Sequence, residues 1–326
     1  MKYLINKLRP KIIATLSTRY NIQEAEQIAD MLLWAEMAGI KPMGLAKMTG
    51  TEPIQNMKAQ HEIKIERETK LSQLINAGGH AAPLVCVQAV DTAIQKAKEH
   101  GMAIVGVRNT HSSNLTQAYY AERIAREDLI GITMAGGPAS TAPFDSIDPI
   151  FGTNPMGFAF PTNDEPLVFD MTTAAMTWSG LVLAKAHGDK LPNNIAIDID
   201  GSPTTDPARA MEGATLTFDD GYKGSGLSLI VEALTGPLVN AGYCDTDLES
   251  EYGSIFIAID PNLLVDTVEF KNHSSDLLRK IKISRKKAGV SEIRLPGERA
   301  AQTRKEAQDS GIVDIDEAVL EELGYL

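Results

Sequence analysis

Apolar side chains recur at helical spacing in several parts of the chain. Between residues 21 and 36 the apolar positions are Ile22, Ala25, Ile28, Ala29, Leu32 and Leu33. Intervals of three and four residues place them on one face, which predicts an amphipathic helix. Similar patterns predict helices over residues 89–98, 115–127, 173–186, 224–235, 276–288 and 317–326, and a short helix within 203–213 that Asp206 caps.

Short apolar runs between these helices predict buried strands. They cover residues 102–107, 129–134, 167–170 and 255–260. Helix and strand alternate from residue 85 to residue 135, as in layered α/β folds. Residues 136–161 are rich in Gly and Pro but also contain Phe144, Ile147 and Phe151, so we expect a long, shaped loop there.

Composition narrows the class of protein. A chain of 326 residues with 43% hydrophobic residues can bury a large core. Its apolar runs are shorter than the roughly 18 to 20 residues of a membrane span, and its first residues show no export signal, so we expect a cytoplasmic protein. The net charge of -12 disfavours nucleic acid as a partner. The cysteines and histidines show no metal-ligand spacing.

The first candidate for chemistry follows the strand at 102–107. His111 ends the run Arg108-Asn109-Thr110-His111. The carboxyl end of a buried strand faces the crevice where α/β proteins bind ligands, and an imidazole there can exchange a proton near neutral pH. A loop histidine that only caps the next helix is the alternative interpretation.

Two further segments combine polar groups with a predicted helix start. Asp170 precedes Thr172 and Thr173, which suits contacts to ribose and phosphate or plain helix capping. Lys223-Gly224 opens the predicted helix at 224–235, which suits an anion site or a tight turn with a solvated lysine. The chain has no GxGxxG fingerprint, because Leu229 stands where the third glycine would be, and it has no P-loop or nucleophile elbow.

Taken in order, these segments resemble the type-2 malate/L-lactate dehydrogenase family, which includes ureidoglycolate, sulfolactate and diketogulonate dehydrogenases and cyclic-imine carboxylate reductases. The resemblance covers nearly the whole chain. It rests on the runs Val107 to His111, Gly152-Thr153-Asn154-Pro155 with Ala159 and Pro161, Asp170 with Thr172, Asp198 to Pro207, Lys223 to Leu227, and Pro296-Gly297-Glu298.

The resemblance implies a three-layer α/β/α sandwich of the L-sulfolactate dehydrogenase-like type, which is distinct from the Rossmann fold. Residues 81–269 would form the cofactor-binding α/β core, and residues 1–80 and 270–326 a smaller, mainly helical substrate and dimer part. It also implies a homodimer that binds NAD or NADP. The cofactor contacts would be Asp170, Met171, Thr172, Thr173, Lys223, Gly224, Gly297 and Glu298, and His111 would lie beside the reacting oxygen.

The sequence departs from the family at several positions. After the first amphipathic helix the family usually carries Ser-His-Gly with an Arg four residues after the His. This chain has Pro42-Met43-Gly44 and Lys47 there. Methionine cannot transfer a proton, and lysine keeps a cation but loses the bidentate fork of arginine. A slip of one residue could also put Ser112 in the place of His111. Leu181 replaces a family lysine, and Thr173-Ala174 stands where Thr-Ser is common.

Three explanations of the missing histidine are open. His111 is the sole acid and base, the substrate is a protonated cyclic imine that needs little acid catalysis, or catalysis has been lost. The retained cofactor-side runs favour the first two. The sequence therefore predicts hydride transfer between NAD(P)H and C2 of a small malate-like or lactate-like 2-keto or 2-hydroxy acid, or of a cyclic imino acid. Lys47 and Arg108 would hold the carboxylate. A silent homologue that binds a nucleotide or metabolite is the alternative.

Overall fold

The computed structural model describes residues 1–50, 53–56, 61–110, 112–244 and 252–326. The helices are α1 (Ile5–Leu16), α2 (Ile22–Met37), α3 (Ala82–His100), α4 (Gln117–Ala125), α5 (Trp178–His187), α6 (Pro207–Glu212), α7 (Tyr222–Thr235), α8 (Thr267–Lys282), α9 (Glu298–Ser310) and α10 (Glu317–Glu322). The strands are β1 (Lys2–Leu4), β2 (Lys64–Glu68), β3 (Ser72–Asn76), β4 (Met102–Thr110), β5 (Ile130–Ala135), β6 (Pro155–Phe160), β7 (Leu167–Thr172), β8 (Ala196–Ile197), β9 (Ala214–Thr215), β10 (Tyr252–Ile259) and β11 (Ile312–Asp314). Short 3-10 turns cover Lys41–Met43, Leu45–Met48 and Ile54–Asn56.

A seven-stranded mixed sheet forms the centre of the molecule, in the order β2-β3-β4-β10-β5-β6-β7. Strands β3 and β4 are parallel, and every other neighbouring pair is antiparallel. A Rossmann fold needs a mostly parallel sheet, so the predicted non-Rossmann architecture is confirmed.

Side chains alternate between two apolar layers along the central strands. Val105 and Phe256 belong to the large core with α3, whereas Ile104 and Ile255 belong to a second cluster with Val231 of α7. Successive residues of a strand point to opposite faces, so one strand can supply both layers. Helices α3 and α4 cover one face of the sheet and α7 covers the other. The predicted three-layer sandwich is therefore confirmed.

The two ends of the chain form a helical part beside the sheet. Strands β1 and β11 pair, with Tyr3 opposite Val313. Leu8 of α1 and Leu32 of α2 are fully buried in the same core as α3. The predicted helical part built from both termini is thus present. Strands β2 and β3 also join the central sheet, and the division of the chain at residues 80 and 270 stays a prediction.

Several predicted elements have the expected type and limits. Helix α2 begins where predicted, and Asn21 caps it in a reciprocal pair with Glu24, each side chain 3.0 Å from the partner's backbone nitrogen. Gly101 ends α3 with a φ of 89°, in the left-handed region that glycine favours. Asp206 caps α6 as predicted, accepting from the backbone of Ala208 at 2.8 Å.

Other predictions were wrong in their limits. The predicted loop 136–161 contains strand β6, whose Pro155 and Gly157 gave it the composition of a turn. A Cβ at Gly157 would lie 2.9 Å from the Cβ of Gln117, so glycine there lets α4 approach the sheet. The helix predicted from residue 173 begins only at Trp178. The helix predicted at 276–288 is α8, which begins nine residues earlier, after its cap Asp266.

Within the ranges given above, no helix combines the length and the apolar character needed to cross a lipid bilayer.

Candidate active site

A buried carboxylate fixes the segment 41–48. Glu36 of α2 is 4% exposed, and its Oε1 accepts a hydrogen bond from the backbone N–H of Leu45 at 2.7 Å. Its Oε2 lies 3.2 Å from the ammonium of Lys41. Burial raises the pKa of the Glu36 carboxyl, and Lys41 opposes that shift. Gly44 leaves room for this carboxylate, since a Cβ there would lie 2.3 Å from Oε1.

The segment presents Lys47 to the first turn of α5. The Lys47 ammonium lies 2.6 Å from the hydroxyl oxygen of Ser179. Burial lowers the pKa of Lys47 to about 8, and no charge among the described residues contributes to that shift. Among the described residues no carboxylate forms an ion pair with this ammonium. A half-buried cation without a counter-ion among the described residues is poised to bind an anion or to lose its proton.

The predicted proton donor cannot be placed. His111 lies outside the described residues, so its role stays a prediction. Its neighbour Ser112, the candidate if the alignment slips by one, is buried and accepts a hydrogen bond from the backbone of Ala82 at 2.7 Å. This contact satisfies a donor at the start of α3. Met43 lies partly buried in the turn Lys41–Met43 and has no group that can exchange a proton.

Polar side chains cluster where the parallel strands β3 and β4 end. The Arg108 guanidinium lies 3.9 Å from the Glu66 carboxylate. The Asn76 amide donates to Glu66 at 2.8 Å, and the Asn109 amide donates to Asn76 at 3.0 Å. Arg108 therefore lies near the carboxyl end of β4, where it faces the Glu66 carboxylate, and its role as a substrate contact stays a prediction.

Asp170 caps a helix, but not the helix that follows it in sequence. Its Oδ2 accepts from the hydroxyl of Thr116 at 2.5 Å and from the backbone N–H of Ala118 at 2.9 Å. These two donors belong to the start of α4. Burial raises the pKa of Asp170, and the hydrogen bonds from α4 oppose that shift. Met171 next to it belongs to the opposite, α7-side cluster.

Three chain segments meet at the end of β7, in what we call the threonine cluster (Thr153, Thr172, Thr173 and Thr217). The hydroxyls of Thr172 and Thr173 both donate to the carbonyl of Thr153. The carbonyl of Thr173 accepts from the backbone of Phe218, and Gly224 packs against Thr217. The structure therefore joins the predicted cofactor segment 170–173 to the start of α7.

The start of α7 already has an anion of its own. Asp219 Oδ1 accepts from the backbone N–H groups of Gly221 at 3.2 Å and Gly224 at 3.0 Å. Lys223 is exposed, with its ammonium 6.0 Å from the centroid of the Tyr222 ring. A ligand at this turn would thus meet a solvated lysine, while Asp219 satisfies two of the backbone donors.

Gly297 and Glu298 lie at the opposite end of β7 from the threonine cluster. Gly297 has a φ of 73°, and a Cβ there would lie 2.1 Å from the carbonyl oxygen of Val168. Glu298 accepts from the backbone of Leu295 at 3.0 Å and pairs with Lys282. That ammonium lowers the pKa of Glu298. The predicted cofactor residues therefore lie along one strand rather than in one cluster.

Polar groups remain unsatisfied close to the threonine cluster. Ser140 Oγ and Asn154 Oδ1 are buried, and neither has a hydrogen-bond partner in the described part of the chain. The Asn154 amide nitrogen donates to the carbonyl of Ser228 at 3.0 Å and to Glu232 at 2.7 Å. Strand β7 is also an edge strand, so backbone groups on its outer side are not used by the sheet. The unused backbone groups of an edge strand can hydrogen-bond an extended polar molecule, as a nicotinamide dinucleotide is.

Sequence reasoning missed Ser179, Thr116 and Asp219. Asp219 stands just before a glycine-rich helix start, which is a capping signal that could have been recognised. Ser179 gave no signal, because its partner Lys47 lies 132 positions away in sequence. Thr116 was likewise linked to Asp170 only by the fold.

The fold and these contacts define a class: a non-Rossmann, mixed-sheet α/β protein with polar side chains clustered at both ends of its edge strand. The sequence model for malate/L-lactate dehydrogenase matches residues 8–324. The chain therefore belongs to the malate/L-lactate dehydrogenase family.

Curated relatives are similar over most of their length. L-sulfolactate dehydrogenase of Methanothermobacter thermautotrophicus is 31% identical, across 96% of this chain and 93% of the relative. Ureidoglycolate dehydrogenase (NAD(+)) of Escherichia coli is 28% identical, across 90% of this chain and 87% of the relative. (2R)-3-sulfolactate dehydrogenase (NADP(+)) of Chromohalobacter salexigens is 30% identical, across 92% and 90%.

Solved structures agree with the fold. Sulfolactate dehydrogenase from Methanocaldococcus jannaschii superposes with a TM-score of 0.86 at 30% identity, covering 99% of this chain and 95% of that one. Delta1-piperideine-2-carboxylate reductase from Pseudomonas syringae gives a TM-score of 0.83 at 27% identity, covering 98% and 96%. The predicted L-sulfolactate dehydrogenase-like type is confirmed.

Proposed function

We propose that this protein is an oxidoreductase that transfers a hydride between NAD(P)H and C2 of a small 2-keto or 2-hydroxy acid, or of a cyclic imino acid. The observation that carries the proposal is the hydrogen bond between Lys47 and Ser179. Ser179 lies six residues after Thr173, so one short connection links the candidate substrate residue to the candidate cofactor segment. The names of the relatives support this chemistry.

The substrate carboxylate would bind Lys47. Its side chain is half-buried, and its ammonium has a hydroxyl as its hydrogen-bond partner. An anion beside it would restore the favourable interaction that burial removes. Arg108 is the second proposed carboxylate contact, and would have to share its charge with Glu66.

The cofactor would lie along β7. Thr172, Thr173 and Lys223-Gly224 would hold it at one end, Gly297 and Glu298 at the other, and Asp170 and Met171 between them. When bound, the nicotinamide supplies or accepts the hydride. The half-buried Thr172 hydroxyl can accept a hydrogen bond while it donates to Thr153, whereas the Thr173 side chain is fully buried. Relatives named for NAD(+) and for NADP(+) support either cofactor. For the proton, the sequence predicts His111.

A homodimer in the cytoplasm is also proposed. Tyr222, Leu229 and Ile230 of α7 are 70%, 59% and 51% exposed. Contiguous exposed apolar side chains are typical of an interface, and a second copy would cover them. Both cysteines are free, which is compatible with a reducing compartment.

A substrate screen tests the proposed function. Malate, lactate, sulfolactate, ureidoglycolate, their keto acids and cyclic imine carboxylates are offered with each nicotinamide cofactor, and the absorbance of the reduced cofactor is followed. We expect turnover with at least one of them. Cofactor binding in a calorimeter without turnover across the panel would instead favour the silent homologue suggested by Met43.

A further inference from the structure

We propose that Lys47, rather than His111, exchanges the proton with the substrate, and that the Ser179 hydroxyl holds its amine in place. This assignment rests on the proposed function. It gives a second role to a side chain that was predicted only to bind a carboxylate. It also locates proton transfer in the same segment 41–48 whose Met43 cannot perform it.

The hydrogen-bond partner of Lys47 suits a group that changes its protonation state. A serine hydroxyl accepts a hydrogen bond from the ammonium and can donate one to the neutral amine. Lys47 Nζ lies 2.6 Å from Ser179 Oγ, so either form keeps this contact. A carboxylate in the same place would favour only the charged form and would hold the proton on the lysine.

Within the described ranges, no charged side chain shifts the pKa of Lys47, which burial alone lowers. On α2 the facing carboxylate is Glu36, which is paired with Lys41 of the first turn. The turn Ile54–Asn56 has no titratable side chain. On α5, Lys185 is exposed and His187 faces Asp189 and Asp316. Burial is the only cause that lowers the pKa of Lys47, to about 8. A value near neutrality is what an efficient proton donor and acceptor requires.

Several contacts hold the amine in position. The backbone at Leu45 is fixed by Glu36, and the amine is fixed by Ser179 in the first turn of α5. Thr177 caps that helix by accepting from the backbone of Gly180 at 3.1 Å. The backbone two residues before Lys47 is therefore anchored to α2, and the Lys47 amine to α5. A flexible lysine would lose more entropy on reaching the substrate oxygen.

The proton balance is simple. In the reducing direction, the hydride reaches C2 with its electron pair, the C=O π pair moves to oxygen, and Lys47 Nζ gives that oxygen a proton. The amine is left neutral and is reprotonated from solvent. In the oxidising direction the neutral amine takes the hydroxyl proton as the hydride leaves C2. With a cyclic imino acid, the nitrogen takes the place of the oxygen.

The sign of the pH dependence follows from these roles. Reduction needs the ammonium, so its rate should fall as the pH rises through about 8, the pKa of Lys47. Oxidation needs the neutral amine, so its rate should rise through the same pH. A lysine that only bound the carboxylate would weaken binding in both directions as it lost its proton.

Lys47→Arg separates proton transfer from anion binding. Arginine keeps the positive charge but stays protonated throughout the working range. We expect kcat to fall by about 100-fold while KM changes by no more than about threefold, since general acid-base catalysis contributes on the order of 10²–10⁴-fold. Lys47→Met should lose both kcat and affinity. Lys185→Arg, the same change at an exposed position of α5, is the matched control and should change neither.

A second readout needs neither substrate nor cofactor. The unliganded protein is acylated briefly at a series of pH values, and the modified lysines are quantified by mass spectrometry. We expect Lys47 to react with a midpoint near 8. Ser179→Ala should shift this midpoint and lower kcat, whereas Ser179→Thr, which keeps the hydroxyl, should restore both.

The outcomes distinguish the two proposals. Full kcat in Lys47→Arg, or an acylation midpoint near the roughly 10.4 of a free lysine, would overturn the assignment of Lys47 and leave the proposed function standing. Loss of turnover in His111→Ala, together with full kcat in Lys47→Arg, would return the proton to His111. No turnover by the unaltered protein with any substrate would overturn the proposed function and this assignment with it.

Discussion

Two regions of this molecule bury charge in opposite ways. At the junction of α4 and α9, Glu122 accepts from both terminal nitrogens of Arg304, at 2.5 and 2.7 Å. Arg304 also lies 4.7 Å from the centroid of the Trp34 ring. In the segment 41–48, by contrast, the Lys47 ammonium meets only the hydroxyl of Ser179 within the part of the chain described.

The difference separates a structural charge from a functional one. The Glu122–Arg304 pair, which Arg126 joins at 2.6 Å from the Glu122 carboxylate, satisfies both charges and fastens α9 to α4, so neither group is left to bind a ligand. Lys47 has no ion-pair partner among the described residues, so its half-buried ammonium is in an unfavourable state that a bound anion would relieve. A charge that is withdrawn from water without an ion-pair partner is therefore a better guide to a functional site than a buried ion pair.

Breaking the paired charge should have the largest effect on stability. Glu122→Ala leaves Arg304 buried without its carboxylate, so we expect the free energy of unfolding to fall by about 3–5 kcal/mol. Denaturant unfolding would measure the change. The double variant Glu122→Leu with Arg304→Met should recover much of the loss. A loss below about 1 kcal/mol for Glu122→Ala would contradict the structural role.

Asp170 is intermediate between Glu122 and Lys47, because it has several hydrogen-bond partners but all of them are neutral. Asp170→Ala leaves the Thr116 hydroxyl and the Ala118 N–H without their acceptor, so we expect a loss of about 2 kcal/mol. The pKa of Asp170 is raised in the fold, so the folded protein binds its proton more readily than the unfolded chain. Its contribution to stability should therefore grow as the pH falls from 7 through that raised pKa.

Unfolding curves of both proteins between pH 7 and pH 4 would check this. Asp170→Asn, which keeps one acceptor, should lose less than Asp170→Ala at pH 7. If the difference between wild type and Asp170→Ala shrinks with acid, the direction assigned to the Asp170 pKa is wrong.

Removing the charge of Lys47 should raise the free energy of unfolding, whereas removing Glu122 should lower it. Lys47→Met removes a buried ammonium and keeps most of the side-chain volume, so we expect the free energy of unfolding to rise by about 1 kcal/mol at pH 7. The folded pKa of Lys47 is about 8, below the ordinary 10.5, so the unfolded chain holds this proton longer. The advantage of Lys47→Met should therefore disappear as the pH rises from 8 to above 10.5. Thermal unfolding at pH 7 and pH 10 would measure it, and destabilisation at pH 7 would contradict the assignment of Lys47 as unpaired.

The periodic patterns of apolar residues predicted the main layers of this fold. They did not predict where several helices and strands begin and end. Helix α2 and strand β10 follow clear apolar periods, and both were found close to their limits. Strand β6 was missed because Pro155 and Gly157 resemble turn residues, although Pro155 is the first residue of the strand and Gly157 allows the close approach of α4. Helix α9 was missed, because Arg304 and Ala307 are its only buried residues.

The candidate site was predictable where one short run carries several of its residues. Thr172 and Thr173 could be named from the sequence because they follow Asp170 at a strand end. The partners of these residues could not, since Thr116 bonds Asp170 and Ser179 bonds Lys47 across 54 and 132 positions. Periodicity shows which face of an element is buried, but not which distant side chain meets it there.

Breaking an exposed ion pair should have the smallest effect on the free energy of unfolding. This variant tests whether burial determines the energy of an ion pair. Arg9 meets Asp30 through two hydrogen bonds, at 2.7 and 3.2 Å, a geometry as favourable as that of Arg304 with Glu122. The side chains of Arg9 and Asp30 are, however, 37% and 53% exposed. Water solvates either partner when the other is removed, so Arg9→Gln should lower the free energy of unfolding by about 0.5 kcal/mol or less. Even that difference should vanish in 1 M salt. If Arg9→Gln and Glu122→Ala proved equally destabilising in the same titration, geometry rather than burial would determine the energy of these pairs, and the contrast between Glu122 and Lys47 would lose its basis.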